Sequence, residues 1–251
     1  MNTVQLVGIL NVTPDSFSDG GEFVDADKAL KHARQLINNG ASIIDVGAES
    51  TRPNATVLTP SEEWQRLEKI LPELLREFPS KISLDTYHPE TVRKVSAIGP
   101  VIVNDVTGFN NPEMMRVVTE SGFRCIVSHF PEIHGQNIQA AHSGELVDSF
   151  DQVKDELLSK RQRMISMGIK ADKIILDPGI GFGKTPELNR QLLEFASQVP
   201  GVDVMIGYSR KRFLGENRMD IEPNLEAGKI AIKSGAKYLR VHDVAAHKQI
   251  I

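Results

Sequence analysis

The chain has 251 residues, a formal charge of −4 and 40% hydrophobic residues, with a single cysteine, Cys125. That length suits one large domain or two small ones; a single barrel-sized domain, residues 1–251, is a common outcome at this size, and no linker, repeat or low-complexity segment divides the chain. The small charge argues against nucleic acid or an anionic membrane as partner, no apolar run reaches spanning length, and one cysteine excludes a disulfide within the chain.

In chain order, apolar runs rich in valine and isoleucine occur at 4–10, 42–46, 81–84, 101–103, 125–127, 173–176, 202–206 and 238–241. Such runs predict eight strands buried on both faces, as in a parallel sheet. Helical patterns lie between them. Ala29, Leu30, Ala33, Leu36 and Ile37 repeat at helical spacing and stop at Gly40. Thr59-Pro60-Ser61-Glu62 reads as a capping box with proline in the first turn, opening a helix through Leu75 in which Trp64 packs on the sheet and Pro72 makes a kink. Further helices are predicted from Asp148 to Met167, from Thr185-Pro186, and from Leu225 to Ser234. The tail after the eighth strand leaves room for only a brief last helix. Eight strand–helix units make an α/β fold of the (β/α)8 TIM-barrel type the expectation; periodicity alone leaves a doubly wound open sheet as the runner-up. The N-terminus shows no basic region followed by an apolar core, so no signal peptide is expected. Cys125, within an apolar run, reads as a small buried hydrophobe, and a reducing, cytoplasmic setting fits.

Every predicted strand ends on polar residues: Asn11, Asp45 with Glu49, Asp85, Asn104 with Asp105, His129, Asp177, Ser209 to Arg212, and Arg240 with His242. In a parallel barrel these ends meet at one mouth. Asp85, Asp177 and Asn104 suit a polar heterocycle, whereas Arg52, Lys211, Arg240 and His242 suit an anion such as phosphate. The glycines of 177–184 (DPGIGFGK) permit close backbone approach to a ligand. That segment is not a Walker loop, because Pro178 occupies the position of its first glycine, and no dinucleotide fingerprint follows the first strand. His129, His134 and His142 lack zinc-site spacing.

The segments 8–21 (GILNVTPDSFSDGG), 43–53 (IIDVGAESTRP), 83–86 (SLDT), 103–105 (VND), 176–184 (LDPGIGFGK), 208–215 (YSRKRFLG) and 240–244 (RVHDV) together resemble the bacterial dihydropteroate synthase family over almost the whole chain. The resemblance implies a (β/α)8 barrel that joins 6-hydroxymethyl-7,8-dihydropterin pyrophosphate to p-aminobenzoate in folate synthesis. It implies pterin binding by Asp85, Asn104, Val106, Asp177, Phe182 and Lys211. Asn11, Arg52, Arg240 and His242 would hold the pyrophosphate, with Asn11 also touching Mg2+. Phe17, Thr51, Pro53, Phe182 and Arg212 would shape the p-aminobenzoate pocket, and Asn11, Arg52, Lys211, Arg240 and His242 would carry catalysis. The partners implied are these small molecules and a second copy of the chain in a homodimer. The chain departs from the family pattern at Tyr87-His88, Ala48, Ser128 and Arg212, where a serine commonly helps hold the benzoate carboxylate. Two other readings share the pterin pocket. A methyltetrahydrofolate-dependent methyltransferase has no need of Arg52, Arg240 and His242, and a non-catalytic pterin-binding paralogue would have lost turnover.

Overall fold

The computed structural model describes residues 4–13, 26–50, 55–131, 138 and 144–251. Eight parallel strands, β1 (Gln5–Asn11), β2 (Ile43–Gly47), β3 (Ile82–Asp85), β4 (Ile102–Asp105), β5 (Arg124–Ser128), β6 (Ile174–Asp177), β7 (Met205–Ile206) and β8 (Tyr238–Val241), pair in the order β6-β5-β4-β3-β2-β1-β8-β7. The two ends of that order meet through a parallel bridge between Leu176 and Val204, with Leu176 N–H donating to the Asp203 carbonyl at 2.9 Å. Every strand therefore lies beside its sequence neighbours and the sheet is a nearly closed barrel. An open doubly wound sheet would instead reverse its order at a switch point.

Between the strands run α1 (Ala26–Asn38), α2 (Pro60–Leu67), α3 (Leu71–Glu77), α4 (Pro89–Ser96), α5 (Pro112–Ser121), α6 (Phe150–Ser166), α7 (Pro186–Gln191) and α8 (Ile221–Ser234), with α9 (Val244–His247) after β8. Local chemistry sets their starts. The Thr59 hydroxyl accepts from Glu62 N–H at 3.3 Å while the Glu62 carboxylate accepts from Thr59 N–H at 2.7 Å, closing the expected capping box. Thr185 caps α7 with its hydroxyl alone, accepting from Leu188 N–H at 3.2 Å.

Two helix expectations are corrected. Pro72 does not kink one long helix; the helix ends at Leu67, and Pro72 stands in the first turn of α3. Proline lacks the N–H that would bond back one turn and crowds that carbonyl, so a break after Leu67 relieves both problems. Conversely, α8 begins at Ile221, ahead of the expected Leu225, because Pro223 falls in the first turn, where no backbone donor is required. Trp64 packs on the core between strands and helices, as expected, with the Lys94 ammonium 5.1 Å from its ring.

Candidate active site

The strands alternate side chains inward and outward, so residues two apart share a face. Outward residues such as Ile44, Val46, Leu84, Val103, Val127, Leu176 and Leu239 join the core under the helices. A separate buried cluster of Val7, Ile43, Ile102, Ile126, Ile175, Met205 and Tyr238 fills the barrel interior. Counting two residues onward from these gives Asp45, Asn104, Ser128, Asp177, Gly207 and Arg240, with apolar Ile9 as the exception on β1 and Asp85 at the matching height on β3. One apolar layer is thus capped by one polar layer at the C-terminal ends of the strands, where barrel sites are built.

The polar layer is tightly knit. The Arg240 guanidinium donates through Nε to Asp45 Oδ2 at 2.6 Å and through Nη2 to Asp85 Oδ2 at 2.7 Å. Asn104 Nδ2 donates to the same Asp45 oxygen at 3.0 Å. Opposite, Asp177 Oδ1 accepts from Gly179 N–H at 2.7 Å. Burial raises the Asp85 carboxyl to about 7, against the pull of Arg240 and with help from the charge of Asp45. Burial also raises Asp177, opposed by Lys211. Lys211 is pushed the other way, down to about 8, as burial outweighs the attraction of Asp177. Two carboxyls and one amine thus sit in a partly desolvated pocket, with their affinities for protons drawn together.

Above this layer the loop after β6 folds inward. Gly179, Gly181 and Gly183 adopt positive φ (64°, 86° and 57°), and a Cβ on Gly179 would lie 2.0 Å from the His129 carbonyl oxygen. The buried Lys184 ammonium gathers this loop by donating to the carbonyls of Gly179 at 2.9 Å, Phe182 at 3.0 Å and His129 at 3.2 Å. Phe182 is thereby held beside Phe130, ring centroids 6.4 Å apart, with Lys211 Nζ 4.9 Å from the Phe182 ring. Lys211 also donates to the Ile180 carbonyl. Val106, Phe130 and Ile138 form an apolar wall against which Phe182 and Tyr87 pack. The Tyr87 hydroxyl donates to Glu49 Oε1 at 2.6 Å, so this departure from the family pattern ties the loop after β3 to the stem of the loop after β2. His242 shares the parity of Arg240, and its Nδ1 lies 3.0 Å from Ser209 Oγ.

The structure brings together Asp85, Asn104, Asp177, Lys211 and Arg240, with Val106 and Phe182 at their rim. Asn11 ends β1, half-buried, with the inward parity of Val7. Arg212 is exposed at the start of a single 3-10 turn, Arg212–Leu214. Phe17, Thr51, Arg52 and Pro53 lie outside the described residues, as do His134 and His142. Among the described residues there is no group of three or more His, Cys, Asp or Glu side chains placed to hold a metal ion.

Two strand-end residues do not face the mouth. Asp105 follows inward Asn104 and so points outward; its carboxylate accepts from Thr107 N–H at 2.8 Å and Phe109 N–H at 3.0 Å, shaping the loop after β4. His129 follows inward Ser128, and its Nε2 meets Glu156 of α6 at 2.8 Å. Their reversed direction is the two-residue period of a strand. The same period locates a residue that the strand-end pattern left without a role, Asp45, two residues beyond inward Ile43. Phe130, which supplies the wall beside Phe182, carries no such signal; only the folded loop places it there.

The pterin binding enzyme family matches residues 7–242. The dihydropteroate synthase of Escherichia coli K12 is 36% identical over 247 residues, covering 95% of this chain and 86% of that protein. The Bacillus subtilis dihydropteroate synthase is also 36% identical, over 249 residues, covering 95% of this chain and 83% of that one. The crystal structure of the Clostridium difficile dihydropteroate synthase in the presence of pteroic acid superposes with a TM-score of 0.87 at 32% identity, covering 98% of this chain and 94% of that one. The Yersinia pestis dihydropteroate synthase in a sulfonamide complex superposes at 0.88 and 31% identity, covering 98% and 91%. The chain belongs to the dihydropteroate synthase family of pterin-binding enzymes.

Proposed function

We infer that the protein joins 6-hydroxymethyl-7,8-dihydropterin pyrophosphate to p-aminobenzoate, forming 7,8-dihydropteroate and releasing pyrophosphate. The observation that carries this reading is the polar layer at the barrel mouth, where three carboxyls, an amide and two cations converge over an apolar floor. A flat heterocycle rich in N–H donors matches Asp85, Asn104 and Asp177, and Lys211 meets its carbonyl and ring nitrogen. Such directed contacts discriminate strongly, because a ligand of the wrong pattern leaves buried groups unpaired. Solved relatives bear on this: the Xanthomonas albilineans dihydropteroate synthase is known with 7,8-dihydropteroate and with 4-aminobenzoic acid.

In the reaction the bond between the exocyclic methylene carbon and the pyrophosphate oxygen breaks ahead of attack, leaving a cation delocalised into the pterin ring. The p-aminobenzoate nitrogen then bonds to that carbon and sheds a proton, and pyrophosphate departs with the electron pair of the broken bond. The protein's task is to hold the charge of the leaving group and to place the amine. Asn11, Arg52, Arg240 and His242 hold the pyrophosphate. Phe17, Thr51, Pro53, Phe182 and Arg212 hold p-aminobenzoate, with Arg212 able to grip its carboxylate in bidentate fashion. The donor at Asn11 is one neutral oxygen, which fits Mg2+, a hard ion that takes its other ligands from phosphate oxygens and water. Asn11 would hold the ion, which would supply positive charge beside the pyrophosphate.

Residues 1–251 act as one barrel domain, in a homodimer, in the cytoplasm. The buried, free Cys125 suits a reducing compartment. No helix among the described residues is long and apolar enough to cross a membrane.

The test is pyrophosphate release by the purified protein with dihydropterin pyrophosphate and Mg2+, with and without p-aminobenzoate. Release that requires p-aminobenzoate and yields dihydropteroate is the expected result. Tight pterin binding without product would favour the non-catalytic paralogue, and absence of pterin binding would refute the reading altogether.

A further inference from the structure

Asp45 is fully buried in the polar layer, yet the family resemblance gives it no ligand to hold. One of its oxygens, Oδ2, receives both Arg240 Nε at 2.6 Å and Asn104 Nδ2 at 3.0 Å. We propose that Asp45 is a positioning residue that sets the hydrogen-bonding polarity of the heterocycle pocket, by fixing which end of the Asn104 amide the ligand meets. The inference rests on the pterin-binding reading and names what enforces its specificity.

An asparagine side chain can turn over and exchange its acceptor for its donor with almost no change of shape. In the pocket of a free asparagine, a ligand donor and a ligand acceptor would be received about equally well. A carboxylate beside a guanidinium offers acceptor atoms only. If Asn104 turned over, its carbonyl oxygen would face Asp45 Oδ2 at hydrogen-bond distance, two acceptors with no proton between them. The cost of an unpaired buried polar group holds the amide with Nδ2 toward Asp45. The Asn104 carbonyl is thereby committed to the ligand, which must present an N–H. Arg240 adds the second half. Its Nε and Nη2 are engaged by Asp45 and Asp85, which keeps Asp45 in its acceptor role and seats the guanidinium at the edge of the same pocket.

The position of Asp45 within its strand supports this assignment. It lies inward on β2, one layer above Ile43, and its fully buried carboxylate reaches residues on β4 and β8, strands that do not neighbour β2. A residue needed only to close the barrel at this layer could be apolar, like Ile43 below it. A carboxylate is needed where two donors on different strands must be turned toward one point.

The experiment measures binding of 6-hydroxymethylpterin and of 6-hydroxymethyllumazine, which carries a carbonyl in place of the exocyclic amine, to the wild type, Asp45→Leu and Asp45→Ala. The wild type is expected to prefer the pterin by about a hundredfold or more. Both variants remove the acceptor that Asn104 Nδ2 and Arg240 Nε share, so the amide at 104 is free to turn over and the preference falls by about tenfold or more. A purely structural role for Asp45 would weaken both ligands alike and leave their ratio unchanged. That result in either variant, folded as judged by an unaltered circular dichroism spectrum, overturns the proposal. If the near-isosteric Asp45→Leu does not fold, Asp45→Ala decides by the same ratio. A wild type that binds neither ligand refutes the pterin reading instead, so the two failures are distinguishable.

Discussion

His129 provides a sharp test of the structure through acid stability. Its imidazole is fully buried between the barrel wall and α6, with Nε2 2.8 Å from Glu156. Burial, reinforced by the charge of Lys184 and opposed by Glu156, lowers it from 6.5 to about 4. The unfolded chain therefore binds more protons than the folded one between these two values. Stability from this group is present in full above about pH 6.5 and is lost as the pH falls toward 4. Between pH 7 and pH 5 the linkage amounts to about 2 kcal/mol. Other buried groups act over the same range: burial raises Asp85 to about 7 and Asp105 to about 6, and these carboxyls make the folded state relatively more stable as the pH falls. A comparison with His129→Gln isolates the histidine, since the glutamine amide can still donate toward Glu156 and does not titrate. Urea unfolding of both proteins at pH 7 and pH 5 is the assay. The wild type should lose about 2 kcal/mol more than the variant over that interval. Parallel losses, within about 0.5 kcal/mol, would mean that the imidazole is not desolvated as the structure places it.

Three further outcomes follow from the site. Asp177→Ala should abolish pterin binding, at a cost on the order of 2–5 kcal/mol, because a charged contact to the ligand is lost; unchanged affinity by titration calorimetry would sink that role. Arg240→Ala leaves the Asp45 and Asp85 carboxylates without their shared cation and should destabilise the fold by roughly 3–5 kcal/mol while slowing turnover. An unchanged thermal midpoint would contradict the pairing. Gly207→Ala adds a methyl 3.6 Å from Asp177 Oδ2 and 3.8 Å from Arg240 Cβ, distances that the folded protein tolerates. The thermal midpoint should hold while pterin affinity falls by about tenfold or more, because the methyl enters the space of the ring. A drop in both, or in neither, would place Gly207 outside the pocket.

The sequence by itself determined the elements and their kind. Eight apolar runs, the Thr59 and Thr185 caps and the glycine at position 40 act through neighbours a few residues away, so their chemistry can be read along the chain. It also marked the ends of the strands as the place where Asp85, Asn104, Asp177 and Arg240 gather, since a parallel barrel sends all those ends to one face. Tertiary structure decided which of the strand-end groups turn inward. Adjacent residues in a strand point to opposite faces, so Asn104 enters the pocket while Asp105 shapes a loop, and Ser128 faces in while His129 faces α6. It decided as well that Asp45, Asn104 and Arg240 share one oxygen, a contact between residues 59 and 195 positions apart. Barrel closure brings those strands around a common axis. A side chain's partners across that axis depend on the shear and tilt of the whole sheet, which no local stretch of sequence encodes.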